Sequence, residues 1–91
     1  MEVRFYATLR DITGAGRVDF GLHPGATVRD LLCAAVERFP ALGPLAWTPE
    51  GELNDFIKVF VDGREIRYLK GLATVIAEGA PVDIFPPAAG G

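Results

Sequence analysis

The sequence predicts an α+β fold: a mixed sheet of four to five strands with one main helix packed across one face. Three observations predict it. Short β-rich segments with alternating apolar residues occupy 3–8, 18–22, 57–61 and 82–85. Only one stretch, 28–39, places apolar residues at helical spacing over three turns. The 91 residues suffice for one core and are too few for two. A single long helix covers one sheet face, so the other meets solvent or a partner.

The first strand, 3–8, puts Val3, Phe5 and Ala7 on one face. Gly14-Ala15-Gly16 reads as a reversal. Val18, Phe20 and Leu22, alternating with Asp19 and Gly21, form the second strand of a hairpin, which His23-Pro24-Gly25 ends. Thr27 is a suitable helix N-cap, since its hydroxyl accepts a free first-turn N–H, and Asp30 in that turn suits the positive end of the helix dipole. Val28, Leu32, Ala35 and Phe39 make the buried stripe, flanked by Leu31 and Val36, and Pro40 stops the helix.

Residues 41–56, with Gly43-Pro44, Pro49 and Gly51, read as a long connection holding one helical turn, tacked to the core by Trp47. The strand 57–61 runs into Asp62-Gly63, a strong short hairpin signal, with 64–66 as the return strand. A loop with a helical turn covers 68–76, and Glu78-Gly79 leads into the last strand, 82–85. Pro86-Pro87 ends ladder donation, and Ala88-Ala89-Gly90-Gly91 has no side chain larger than methyl. The expected division is therefore a folded unit over 1–87 and a flexible tail over 88–91.

Alternation sends Val3, Phe5, Ala7, Val18, Phe20, Leu22, Ile57, Val59, Val61, Val82 and Ile84 toward the helix. Arg4, Tyr6, Thr8, Lys58, Phe60, Asp83 and Phe85 fall on the opposite face. If the first, last and 57–61 strands are neighbours, Tyr6, Phe60 and Phe85 form one uncovered aromatic patch. Such a patch marks a binding surface unless the long connection folds over it.

Composition excludes several classes. The net charge is −3 and no basic run occurs, so no nucleic-acid partner is expected, and Arg64 and Arg67 read as solvated charges. Cys33 is the only cysteine, which forbids an internal disulfide, and it reads as a partly buried small residue. No apolar run approaches the ~20 residues that span a bilayer, and the chain opens on strand-like residues rather than a signal segment. A cytoplasmic protein without a membrane partner is expected. His23 stands alone, so no metal site is expected. Serine is absent, and Asp11, Glu52 and Asp55 form no evident pair, so an independent enzyme is not expected.

The tail remains. A free α-carboxylate, with a pKa of about 3.3–3.7, is a poor acyl electrophile at neutral pH until it is activated. Two terminal glycines, lacking Cβ atoms, suit threading into a narrow channel of an activating enzyme.

The ending Ile84-Phe85-Pro86-Pro87-Ala88-Ala89-Gly90-Gly91 resembles that of the small subunit of molybdopterin synthase, in the MoaD/ThiS family of ubiquitin-like β-grasp sulfur carriers. Residues 3–11, VRFYATLRD, resemble that family's first strand and following arginine, and 61–66, VDGREI, resemble its central turn. The resemblance implies that an E1-like enzyme adenylates Gly91 with ATP, which this chain does not itself bind. A sulfide equivalent then displaces AMP and leaves a C-terminal thiocarboxylate. The tail, with Gly90 threading behind Gly91, would enter the large subunit of molybdopterin synthase and deliver sulfur to a pterin precursor. Tyr6 and Phe85 match family positions that dock both partners, and Arg10 matches one that pairs with acidic partner residues. Pro86, Pro87, Ala88 and Ala89 lie along the docked ending, while Phe60 is added by alternation alone. Related carriers serve thiamine thiazole synthesis, tRNA thiolation or protein modification, and a non-catalytic β-grasp binding module is the remaining alternative.

Overall fold

A computed structural model describes residues 1–87. The tail expected at 88–91, with Ala88, Ala89, Gly90 and Gly91, lies outside the described residues. Five strands form one sheet: β1 Glu2–Phe5, β2 Arg17–Asp19, β3 Lys58–Val61, β4 Arg64–Glu65 and β5 Val82–Phe85. Their spatial order is β2-β1-β5-β3-β4. The last strand in the chain thus occupies the centre, parallel to β1 and antiparallel to β3, and the sheet is mixed as expected. β5 can sit there because Val82 and Ile84 bury one side and the flanking prolines, Pro81 before it and Pro86-Pro87 after it, lie outside the ladder.

Three helices accompany the sheet: α1 Thr8–Thr13, α2 Val28–Arg38 and α3 Gly43–Ala46. α2 opens with a capping box in which Thr27 Oγ1 accepts from Asp30 N at 3.3 Å and Asp30 Oδ2 accepts from Thr27 N at 2.9 Å. It buries Val28, Leu31, Leu32 and Ala35 among Val3, Phe5, Val59, Val82 and Ile84 of the sheet. Leu31, expected on the flank, lies at the centre of the stripe, and Phe39 is a half-buried C-cap. No helix among the described residues is long and apolar enough to cross a membrane.

The first strand ends at Phe5 rather than Thr8. Ala7 turns the chain at φ 52°, ψ −129° into α1, so Ala7 is exposed and Leu9 takes the buried place expected of it. Gly14, at φ 75°, ends that helix in the left-handed conformation and starts the return to β2. The second strand spans only Arg17–Asp19. Phe20 stays buried beyond it, its ring edge-on to Phe5 at 6.5 Å, while Leu22 is half-buried.

Cys33 is exposed, because one residue past Leu32 the helix has rotated away from the core. The connection after α2 holds two helical pieces, a 3-10 turn at Pro40–Leu42 and α3, which bury Leu42 and Ala46. Trp47 is half-buried against the core and bridges Leu53. The return strand β4 stops at Glu65, and the buried Ile66 begins a 3-10 turn, Ile66–Tyr68.

Arg67 is no free solvated charge. Its guanidinium donates to the carbonyls of Ile57 at 3.1 Å, Asn54 at 3.2 Å and Asp55 at 2.7 Å, and pairs with Glu65 at 3.4 Å. Asp62 and Gly63 both take positive φ, 51° and 80°, as the Asp-Gly hairpin signal requires.

Candidate partner-docking face

Register places the outward residues. Lys58 lies opposite Phe85 and Phe60 opposite Asp83 across β3 and β5, while Arg4 lies opposite Asp83 across β1 and β5. Tyr6, one residue beyond β1, is tied by its N–H to the Ile84 carbonyl at 3.2 Å, which keeps its backbone alongside β5. The two rings stack at 4.2 Å between centroids with 11° between planes, and Phe60 meets Phe85 edge-on at 5.6 Å and 82°. Tyr6, Phe60 and Phe85 are therefore one contiguous cluster, half-buried by their own mutual packing. The buried side chains of all three helices join the core on the other side of the sheet: Leu9, the α2 stripe and Ala46.

A charged network lies in the same face. Tyr6 Oη donates to Asp83 Oδ1 at 2.7 Å, and Arg4 Nη2 donates to Oδ2 at 3.2 Å. Arg4 Nε sits 2.7 Å from Oδ1, but its N–H points off that line, so this contact is an ion pair rather than an aligned hydrogen bond. The Tyr6 phenol is held above its usual pKa, first by the hydrogen bond it donates to Asp83, then by desolvation, then by the negative charge of that carboxylate. Alternation puts Arg4 and Asp83 on this face but does not pair them. Opposite charges at outward positions flanking an aromatic were the available signal.

Arg10, on α1, is exposed and opens onto a groove of about 360 Å³ lined with Arg4, Phe5, Tyr6, Gly16 and Arg17. Its guanidinium lies flat on Gly16, where an added Cβ would stand 2.9 Å from Nη2. Among the described residues it has no carboxylate within ion-pair distance. Lys58 flanks the cluster on the β3 side, 3.9 Å from Glu65. Pro86 and Pro87, both half-buried, continue directly from Phe85, and Ala88, Ala89, Gly90 and Gly91 follow outside the described residues.

A central last strand, one helix across the sheet and an aromatic face beside the chain's exit define the class: a ubiquitin-like β-grasp protein. Residues 3–91 match the model of the ThiS family, and the chain belongs to that family. It is 36% identical over 92 residues to small archaeal modifier protein 3 of Haloferax volcanii, covering 100% of this chain and 98% of the relative. The crystal structure of small archaeal modifier protein 1 from the same organism superposes with a TM-score of 0.86 at 33% identity, covering 99% of this chain and 97% of that one. A chain of the Amycolatopsis orientalis BexX/CysO complex superposes with a TM-score of 0.80 at 28% identity, covering 99% and 98%.

Proposed function

We propose that this chain is a sulfur carrier whose reacting group is the carboxyl of Gly91 and whose docking surface is the Tyr6/Phe60/Phe85 face. The observation that carries the reading is the position of Phe85. It ends the central strand, anchors the aromatic cluster and leads straight into Pro86-Pro87. A partner seated on that cluster has the chain end within reach, since the six residues after Phe85 can span at most about 22 Å fully extended.

The chemistry needs two steps in an E1-like adenylating partner. A carboxylate oxygen of Gly91 attacks the α-phosphorus of ATP and expels pyrophosphate, giving an acyl adenylate. A sulfide equivalent then attacks the acyl carbon and expels AMP, leaving a thiocarboxylate. The partner supplies ATP and its site, and this chain supplies a recognised face and an unbranched terminus. Glycine at 90 and 91 removes the Cβ atoms that would block a narrow channel. Arg10, free of intramolecular partners among the described residues, is placed to meet a carboxylate of the partner.

The sulfur acceptor proposed is the pterin precursor of molybdopterin, delivered within the large subunit of molybdopterin synthase. Support comes from the Phe85-Pro86-Pro87 … Gly90-Gly91 ending. The test combines thiocarboxylated chain, purified large subunit and precursor. Formation of the dithiolene is the expected result, and its absence with retained thiocarboxylate rejects this acceptor.

A second reading is favoured by the full-length likeness to a protein named small archaeal modifier protein 3: the activated Gly91 is passed to a lysine amine of another protein. Amide-linked conjugates in place of free thiocarboxylate, seen by mass spectrometry after incubation with activating enzyme and cell extract, would select that reading.

A further inference from the structure

Tyr6 occupies a position that the sheet alone does not hold. β1 ends at Phe5, and at Ala7 the chain already turns away at φ 52° toward α1. Its backbone N–H is anchored to Ile84, but the ring's orientation over Phe85 depends on the side chain. The hydroxyl is fastened at 2.7 Å to Asp83, which lies on the central strand two residues before Phe85, opposite both Arg4 on β1 and Phe60 on β3. The Asp83 side chain is only 13% exposed, and Arg4 balances its charge through Nε and Nη2. A charge this enclosed is costly unless it is paired. A charged acceptor also grips a phenol more firmly than a neutral one would.

We infer that Asp83 is a positioning residue of the docking face: its carboxylate, neutralised by Arg4, holds the Tyr6 ring flat on Phe85 and so presets the aromatic platform beside the chain's exit. Its functional half rests on the docking reading proposed above. Preorganisation of this kind lowers the cost of binding, since the partner need not order the rings itself. Asp83 touches no reacting atom. Loosening the platform therefore weakens recognition of the carrier and leaves the chemical steps alone.

Two measurements test it. In the free full-length chain, the Phe85 ring protons are shifted upfield by the stacked Tyr6 ring. Asp83→Ala is expected to abolish most of that shift while the amide spectrum of the sheet is retained, and an unchanged shift overturns the inference. Tyr6→Phe removes only the hydroxyl and leaves the ion pair, so it gives the same reading should Asp83→Ala fail to fold. In the second measurement, pyrophosphate release by the cognate activating enzyme is followed with this chain as the varied substrate. Asp83→Ala is expected to raise KM about tenfold with kcat unchanged, yet to raise it less than about twofold in a Tyr6→Phe background, because the two act as one unit. Independent, multiplying effects, or a fall in kcat at constant KM, contradict a positioning role. If the wild-type chain releases no pyrophosphate at all, the carrier reading falls instead, and the Phe85 shift still decides whether Asp83 sets the ring.

Discussion

Ala7 takes a backbone conformation, φ 52° and ψ −129°, that a Cβ makes costly by roughly 1–3 kcal/mol. The turn cannot relax, since Tyr6 is bonded to Ile84 on one side and Leu9 N bonds back to Tyr6 O at 3.1 Å on the other. Ala7→Gly is therefore expected to stabilise the protein by up to about 1 kcal/mol in urea unfolding, against the usual direction for that substitution. Asp30 makes a second residue-level prediction. The backbone N–H of Thr27 holds its carboxyl below the ordinary carboxylate value, so its contribution is complete above that value and lost as pH falls through the lowered one. The stability gap between wild type and Asp30→Asn should be widest near neutrality and close below about pH 4. A gap constant from pH 7 to pH 3 would contradict the cap.

Among the elements, the 54–57 turn is linked to the 3-10 turn Ile66–Tyr68 through the Arg67 side chain. Arg67 gathers three carbonyls of that turn, and the turn delivers the buried Ile57 and then β3 to the sheet. Arg67→Ala should cost about 1–3 kcal/mol and raise amide hydrogen exchange at Asn54–Ile57 before it does so in β5. Uniform loss of protection across the sheet would contradict this local role. Arg67 also shows where legibility ended. Its partners are backbone carbonyls ten to thirteen residues away, and no side-chain pattern announces them. Strand 82–85 and the start of α2 were readable to the residue, because a proline pair and a capping Thr are local signals. The α1 helix was not. Residues 3–8 carry strand composition, and only the strained turn at Ala7, imposed by tertiary contacts, breaks the strand early. The aromatic cluster was legible because alternation and strand adjacency suffice to place three rings. The Arg4–Asp83–Tyr6 network was not legible, since alternation puts residues on one face without pairing them.

At the scale of the molecule, the sheet separates two tasks. One face is sealed by α2 and holds the core, including the fully buried Leu31, Val59 and Val82. The other keeps a stacked aromatic cluster and a balanced ion pair next to the route out of β5. The buried core residues among the described ones all lie between Val3 and Ile84, ahead of the chain end. Deleting Gly90 and Gly91 should accordingly leave the urea midpoint unchanged while ending sulfur delivery. The most direct measurement is the intact mass of the full chain after incubation with its activating enzyme, ATP and a sulfur donor. The expected result is a gain of one sulfur for one oxygen, localised by fragmentation to Gly91. An unaltered mass under conditions where the enzyme activates a known carrier, or the same gain at any other residue, would contradict it.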